Sequence, residues 1–358
     1  MIRVLLAGLS FDKVELHVAA ALRRAGVQLF AINTPGTRAI SWCQEHDIPF
    51  VTHEFRNRFD RAAIRLYRAL HAEHSFDIIH ALSNRALSTA LWATRRLPAP
   101  PKIVGYRGTM GHLHPLDPAS RLSYLSPRVD RIICVSHAVQ TYLQGLRIPA
   151  ERLAVIWKGH DPAWYTPAPR AALAECGIPP EATVAAFVGN IRPVKGVNVL
   201  LEAFRAIPPT EPFHLLLFGE VRDRSIRRQI GRHPHIHFIG YRPDAAALAG
   251  ACDIAVMPSI EREGLPKAIL ESMAQGVPPI VTDVGGMPEL VEHNHSGLVV
   301  PSRDAPALRA ALLDLLHNPD RRRAMGQAAR ERIAGPFHVR HTAEKTLALY
   351  HTLTTPSP

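Results

Sequence analysis

The stretch IAVMPSIEREGLPKAILESMAQGVPPIVTDVGGMPE, residues 254–289, decides how this chain is read. Ile254 to Met257 is an apolar run of strand length, followed by a loop rich in charge and glycine. Pro266 suits the first position of a helix, and that helix is expected to stop at Gly276, just before Pro278 and Pro279. Ile280 and Val281 then form a second strand running into Gly285 and Gly286. The result is a strand, loop, helix and strand, with the polar loop at the strand's carboxyl end, where open α/β sheets bind ligands. Glu263 falls in the loop and Glu271 on the helix, so both can face one crevice. The plainer alternative is that Glu263 is a solvated loop charge and that Glu271 pairs with Lys267 at i, i+4.

The same pattern repeats upstream. Residues 184–188 form a strand followed by Gly189-Asn190-Ile191-Arg192-Pro193-Val194-Lys195-Gly196, with a helix from Val197. Glycines at both ends, one Arg, one Lys and a helix amino terminus make a loop suited to a diphosphate. Backbone N–H groups and the helix dipole favour negative charge, and the two cations add to it. Residues 215–218 lead into Gly219-Glu220, and residues 236–239 into Gly240-Tyr241-Arg242; a short helix follows Asp244.

The amino-terminal half is also α/β. Residues 2–7, 14–25 and 27–32 read as strand, helix and strand, which implies a parallel sheet with crossover helices. No G-x-G-x-x-G follows the first strand, so the dinucleotide fingerprint is missing. Further strands begin at Asp77, Ile103 and Arg131. The strand at Ile103 runs into Tyr106-Arg107-Gly108-Thr109 and then His112 and His114, a polar loop that either lines a ligand crevice or is simple surface. Ser136 is placed to cap the helix from Ala138. Residues 157–167, rich in Pro and without periodicity, read as a hinge after a last strand at 153–156. Two such halves imply a cleft between them.

Composition narrows the partners. The chain has 358 residues, 47% hydrophobic and 20% charged, enough for two domains with ordinary soluble cores. No apolar run approaches the roughly 20 residues that span a bilayer, and MIRVLLAGLSF suits a buried strand better than a signal peptide, so a cytoplasmic location is expected. Cys43, Cys134, Cys176 and Cys252 are scattered and expected to be reduced, and the 20 histidines contain no metal-ligand pair, so no metal is expected. The formal charge of +11 calls for an anionic partner: nucleic acid, nucleotide phosphates or an anionic membrane. An aromatic fraction of 6% and the lack of a nucleic-acid motif argue against the first. Arg61, Arg65 and Arg68 share one face of an amphipathic helix, which either lies on anionic lipid or presents a solvated face over an apolar one packed in the core.

Gly189, Arg192, Lys195 and Gly196, then Glu263-Gly264-Leu265-Pro266 with Glu271 eight positions on, then Gly285-Gly286 and Glu289, resemble glycosyltransferase family 4. The resemblance runs to about Leu349 and is most specific in the second half. It implies a GT-B fold of two Rossmann-like α/β/α domains facing across a cleft. Residues 1–165 would be the acceptor side, with a helix at about 340–354 packing back onto it, and residues 166–339 the nucleotide-sugar side. It implies a retaining, metal-independent transferase without a cofactor, taking a nucleotide sugar, most naturally a UDP-sugar, and a glycan or lipid-linked acceptor of cell-surface polysaccharide, lipopolysaccharide or glycolipid synthesis. By position, Glu271 would hold the ribose, Arg192 and Lys195 the diphosphate, and Glu263 with Gly264, Leu265 and Pro266 the sugar. Tyr241 and Arg242 would lie near the base, and Gly8 and Gly189 would admit the donor.

This chain departs from the family pattern at three places. Asp12-Lys13 stands where a Gly-Gly pair is usual, leaving only Gly8; Arg107, with His112 and His114 downstream, stands where a His is frequent; and Pro266 has no N–H to donate. Arg107 and His114 are therefore candidates for the polar group near the reacting sugar. The rival readings are a catalytically weak partner subunit that binds a nucleotide sugar, a GT-B sugar-nucleotide epimerase, and a nucleic-acid binder motivated by charge alone.

Overall fold

The structure, a computed structural model, describes residues 1–10, 12–221, 226 and 233–355. The chain divides into two compact units, Met1–Gly159 with Val339–Pro358, and His160–His338.

The first unit runs β1 (Arg3–Leu9), α1 (Lys13–Arg24), β2 (Gln28–Asn33), α2 (Ala39–Glu45), β3 (Phe50–Thr52), α3 (Arg61–His74), β4 (Ile78–Ala81), α4 (Asn84–Ala93), β5 (Lys102–Arg107), α5 (Pro118–Arg121), β6 (Arg131–Cys134), α6 (His137–Gly145) and β7 (Leu153–Val155). Its strands lie in the order β3-β2-β1-β4-β5-β6-β7, with parallel pairing throughout. Strands buried on both faces need no apolar alternation, and accordingly β1 is hydrophobic without a break after Arg3, while β4 is interrupted only by buried His80. β1 does not end before Gly8, as the sequence implied. It continues to Leu9 with a register shift at Gly8, whose φ of +85° only glycine takes without strain.

In α3 the apolar residues Ala63, Ile64, Tyr67 and Leu70 are buried, while Arg61, Arg65 and Arg68 face outward. The helix thus spends its apolar face on the core, as in the second of its two readings, and has no apolar face left to insert into lipid. Ser136 caps α6 by accepting from Val139 N at 3.3 Å.

The second unit runs β8 (Thr183–Val188), α7 (Val197–Arg205), β9 (Phe213–Phe218), β10 (Ile236–Gly240), α8 (Ala245–Gly250), β11 (Ile254–Met257), α9 (Lys267–Ala274), β12 (Pro279–Thr282), α10 (Met287–Leu290), β13 (Leu298–Val300), α11 (Ala305–His317) and α12 (Pro319–Ala334). Its strands, again parallel, lie in the order β10-β9-β8-β11-β12-β13. The step from β8 to β11 sets the loops after these two strands side by side. Pro266 is not the first helical residue but the N-cap of α9, extended at φ −71° and ψ 115°.

The last helix, α13 (Val339–Thr354), belongs to the first unit and packs on α1. Its Tyr350 is fully buried and bonds through its hydroxyl to Nδ1 of His80 on β4 at 2.7 Å. All four cysteines are free and buried.

Candidate functional site

The site in the second unit is built on the carboxyl ends of β8 and β11. After β8 the chain passes Gly189, takes a tight turn at Pro193–Lys195 and enters α7 through Gly196. Gly196 sits at φ +65°, and a Cβ there would lie 1.9 Å from the carbonyl oxygen of Pro258 in the loop after β11. No other residue permits that approach. Ile260 N donates to Val194 O at 2.9 Å, so the two loops are joined by backbone as well. Gly196 offers α7 no side-chain cap, a feature that suits an anion at the first-turn N–H groups.

Across this junction Lys195 Nζ donates to Glu263 Oε2 at 2.7 Å and to Oε1 at 3.0 Å. Ser259 Oγ donates to the same Oε2 at 2.9 Å, and Thr282 Oγ1 donates to Ser259 O. Glu263 is only 8% exposed, so its negative charge is held by a cation and a hydroxyl in a largely dry setting. Glu263 O also accepts from Gly286 N at 3.3 Å, which ties the loop to the glycine turn after β12. Gly264 and Pro266 are buried, and Leu265 is half-buried.

Glu271 is half-buried on α9, and Lys267 Nζ lies 3.4 Å from its Oε1, the i, i+4 pair of the plainer reading. Arg192 is exposed and its side chain makes no ion pair among the described residues. Tyr241 is 75% exposed just beyond β10. Arg242 grips Asp244 through two bonds of 2.8 and 2.7 Å, so its guanidinium already has an anionic partner.

The other candidates lie in the first unit. Gly8 faces Ser83, whose Oγ would be 3.4 Å from an added Cβ. Asp12 caps α1 by accepting from Val14 N at 3.0 Å and is ion-paired with Lys158, so the loop that departs from Gly-Gly is braced by a salt bridge. Arg107 ends β5 and is buried. Its Nη2 donates to Gly111 O, and its guanidinium stacks 5.0 Å from the Tyr124 ring centroid. It braces the Gly108–His114 loop from inside. His114 is exposed, and its Nδ1 accepts from Leu116 N at 3.2 Å, which places the ring proton on Nε2. A cavity of about 470 Å³ opens at the carboxyl ends of β1, β2 and β4, lined by Gly8, Ser10, Thr34, Glu54, Ser83, Asn84 and Arg85 among others.

Sequence reasoning missed Ser259, Glu15 and Lys158, and marked Asn84 only as part of the polar end of the strand begun at Asp77. Asn84 Oδ1 and Glu15 Oε2 are buried with no hydrogen-bond partner among the described residues. Burial pushes the Glu15 carboxyl up to about 8, against the lowering pull of Lys158. A Glu on the face of α1 that packs against the sheet was the available signal. Among the described residues no group of three His, Cys, Asp or Glu is arranged to hold a metal, and no helix is long and apolar enough to cross a membrane.

Two parallel α/β units, with glycine-bounded loops at the strand ends, define the GT-B class of fold. A glycosyltransferase from Rickettsia africae matches with a TM-score of 0.83 over 99% of this chain and 100% of that one, at 20% identity. Anabaena HepE, solved in complex with UDP-glucose, matches with a TM-score of 0.78 over 98% of this chain and 100% of that one, at 20% identity. A family model described as Glycosyltransferase Family 4 matches residues 13–164, and one described as Glycosyl transferases group 1 matches residues 171–332. D-inositol 3-phosphate glycosyltransferase from Corynebacterium urealyticum is 28% identical over 309 residues, 78% of this chain and 72% of that protein. The enzyme of the same name from Corynebacterium efficiens is 33% identical over 223 residues, and there the match spans 52% of its length and 57% of this chain. The chain belongs to glycosyltransferase family 4 and is a glycosyltransferase of the GT-B type.

Proposed function

We propose that the protein is a retaining glycosyltransferase, working without a metal, that moves a sugar from a UDP-sugar to a hydroxyl of a glycan or lipid-linked acceptor. The observation that carries this reading is the Lys195–Glu263–Ser259 arrangement at the junction of the two loops, with exposed Arg192 at its rim. The diphosphate takes the amino end of α7, with Arg192 and Lys195 supplying the charge that a metal supplies elsewhere. Glu271 accepts from the ribose hydroxyls. Oε1 of Glu263 keeps acceptor capacity for a sugar hydroxyl while Lys195 and Ser259 hold the carboxylate in place.

In transfer, the bond from the anomeric carbon to the β-phosphate oxygen breaks and its electron pair leaves with the diphosphate. The acceptor oxygen bonds to the same face, and its proton passes to the departing phosphate oxygen. The curated relatives, named for transfer to inositol phosphate, and HepE, solved with UDP-glucose, support the substrate classes. The cavity at Gly8, Ser83 and Asn84 suits a polyhydroxylated acceptor, because the Glu15 carboxyl and the Asn84 amide oxygen that line it have hydrogen-bonding atoms without partners among the described residues, and a hydroxyl can both donate and accept.

The test is UDP release from a panel of UDP-sugars with and without EDTA, combined with NMR assignment of the product's anomeric configuration. Chelator-resistant transfer with retention is expected. The reading fails if no nucleoside diphosphate raises the melting temperature and no donor is turned over.

A further inference from the structure

On the first unit, Phe59, Leu116 and Leu122 are large apolar side chains left 46%, 77% and 48% exposed. Phe59 and Leu122 sit beside Trp92, and Leu116 lies in the turn that leads into α5. The Phe59 ring meets Trp92 edge-on, with centroids 4.9 Å apart, and Trp92 and Leu122 line one shallow depression with Arg95. The Arg95 guanidinium sits 5.4 Å from the Trp92 ring centroid. Leu116 stands in the turn that Arg121 closes by donating from Nε to Pro115 O at 2.6 Å.

Arginines frame this strip. Arg95, Arg96 and Arg121 are exposed, and Arg58 and Arg61 flank Phe59 in the chain. Asp117, the acid in the turn, spends its carboxylate on the cap of α5, accepting from Ala119 N, Ser120 N and Ser120 Oγ. The balance is a positive rim around aromatic and aliphatic tips.

We infer that this strip docks the protein on a bilayer surface rich in anionic lipid, with Phe59, Trp92, Leu116 and Leu122 entering the headgroup boundary and the arginines holding lipid phosphates. Paired aromatics with free aliphatic tips match the depth of that boundary, and guanidiniums on long stems reach its phosphates. The helix that the sequence singled out for lipid is not the inserting element, because α3 buries its apolar face in the core. The docking surface stands whether or not the proposed transfer reaction holds; if both hold, it brings the acceptor side to a lipid-linked substrate.

The experiment is co-sedimentation of the full chain with phosphatidylcholine vesicles, either alone or carrying about one-third phosphatidylglycerol, over a series of salt concentrations. Binding is expected to the anionic vesicles only and to weaken with salt. Each arginine contributes about five-fold to partitioning, so Arg95→Glu combined with Arg96→Glu is expected to lower it by well over ten-fold. Phe59→Ser and Leu122→Ser are expected to lower it at every salt concentration. An unchanged melting temperature, and an unchanged shift with UDP, certify that the variants are folded. Equal vesicle binding by wild type and variants overturns the inference, as does no binding to either vesicle. A concentration-dependent dimer that Leu122→Ser abolishes, without vesicle binding, assigns the strip to a second copy of this chain and also overturns it.

Discussion

Lys195 and Glu263 are 68 positions apart in the chain, yet Nζ and Oε2 are 2.7 Å apart. The sequence offered each as a separate ligand contact, the lysine for phosphate and the glutamate for sugar. Their pairing was not legible, because it depends on β8 having as one of its two neighbours β11, three strands further along the chain, and not only β9, the next in order. The glycine loops and the two glutamates were legible, since spacing and residue type alone mark them. The pair changes what substitution does. Removing either member leaves the other as a poorly solvated charge, so alanine variants mix lost function with lost stability. Glu263→Gln keeps the shape and acceptor oxygen while giving up the charge. It is expected to lower kcat by on the order of a hundred-fold with donor KM changed little. Glu271→Ala is expected to raise donor KM about ten-fold with a smaller effect on kcat. Steady-state kinetics on both variants decides the assignment. If Glu263→Gln changes only KM, the carboxylate is a binding group and nothing more.

At the scale of elements, the apolar runs placed all the described strands but the three-residue β3 and β13, while α2, α4, α5, α10, α11 and α12 went unplaced; where an element was placed, the differences have local causes. β1 runs through Gly8 because glycine tolerates the positive φ of a bulge, and α9 begins one residue late because Pro266 takes the extended conformation of a cap. Hidden from the sequence was the polar interior where α1, β4 and α13 meet. A small cavity there is lined by Glu15, His80, Tyr106, Lys158 and Tyr350, residues drawn from both ends of the chain. Burial holds His80 down at about 4 and raises Glu15 to about 8, and these shifts act on stability in opposite senses. For Glu15 the folded state binds its proton more tightly than the unfolded chain, with its ordinary value of 4.5. Stability from this group therefore falls as pH rises from 4.5 to 8, by about 1.4 kcal/mol per pH unit at most. For His80 the unfolded chain binds the proton more tightly, so stability falls as pH drops from 6.5 to 4. The two slopes offset each other where they overlap, leaving the Glu15 slope uncovered from 6.5 to 8. Glu15→Gln should remove it. Urea unfolding followed by tryptophan fluorescence is expected to show the variant gaining on the wild type steadily across that range; parallel pH curves for the two proteins would refute the assignment.

At the scale of the molecule, each unit has its own sheet and buried core, so each can unfold as a cooperative body. The candidate donor residues other than Gly8 all fall in His160–His338. A ligand that binds a folded unit stabilises that unit by mass action, by about 2.7 kcal/mol at a hundred times its dissociation constant. The tryptophans report unequally, because Trp42, Trp92 and Trp157 belong to the first unit and Trp164 to the second. UDP at saturating concentration is therefore expected to move one calorimetric transition upward while the melting followed by tryptophan emission, weighted to the first unit, moves much less. Repeating the scan with Glu271→Ala should shrink the calorimetric shift and leave the fluorescence transition where it was. The converse, a large UDP shift in the tryptophan signal with the second transition unmoved, would place the nucleotide on the first unit. That result would take Arg192, Lys195 and Glu271 out of the donor site together, because their assignment rests on one loop junction at the ends of β8 and β11.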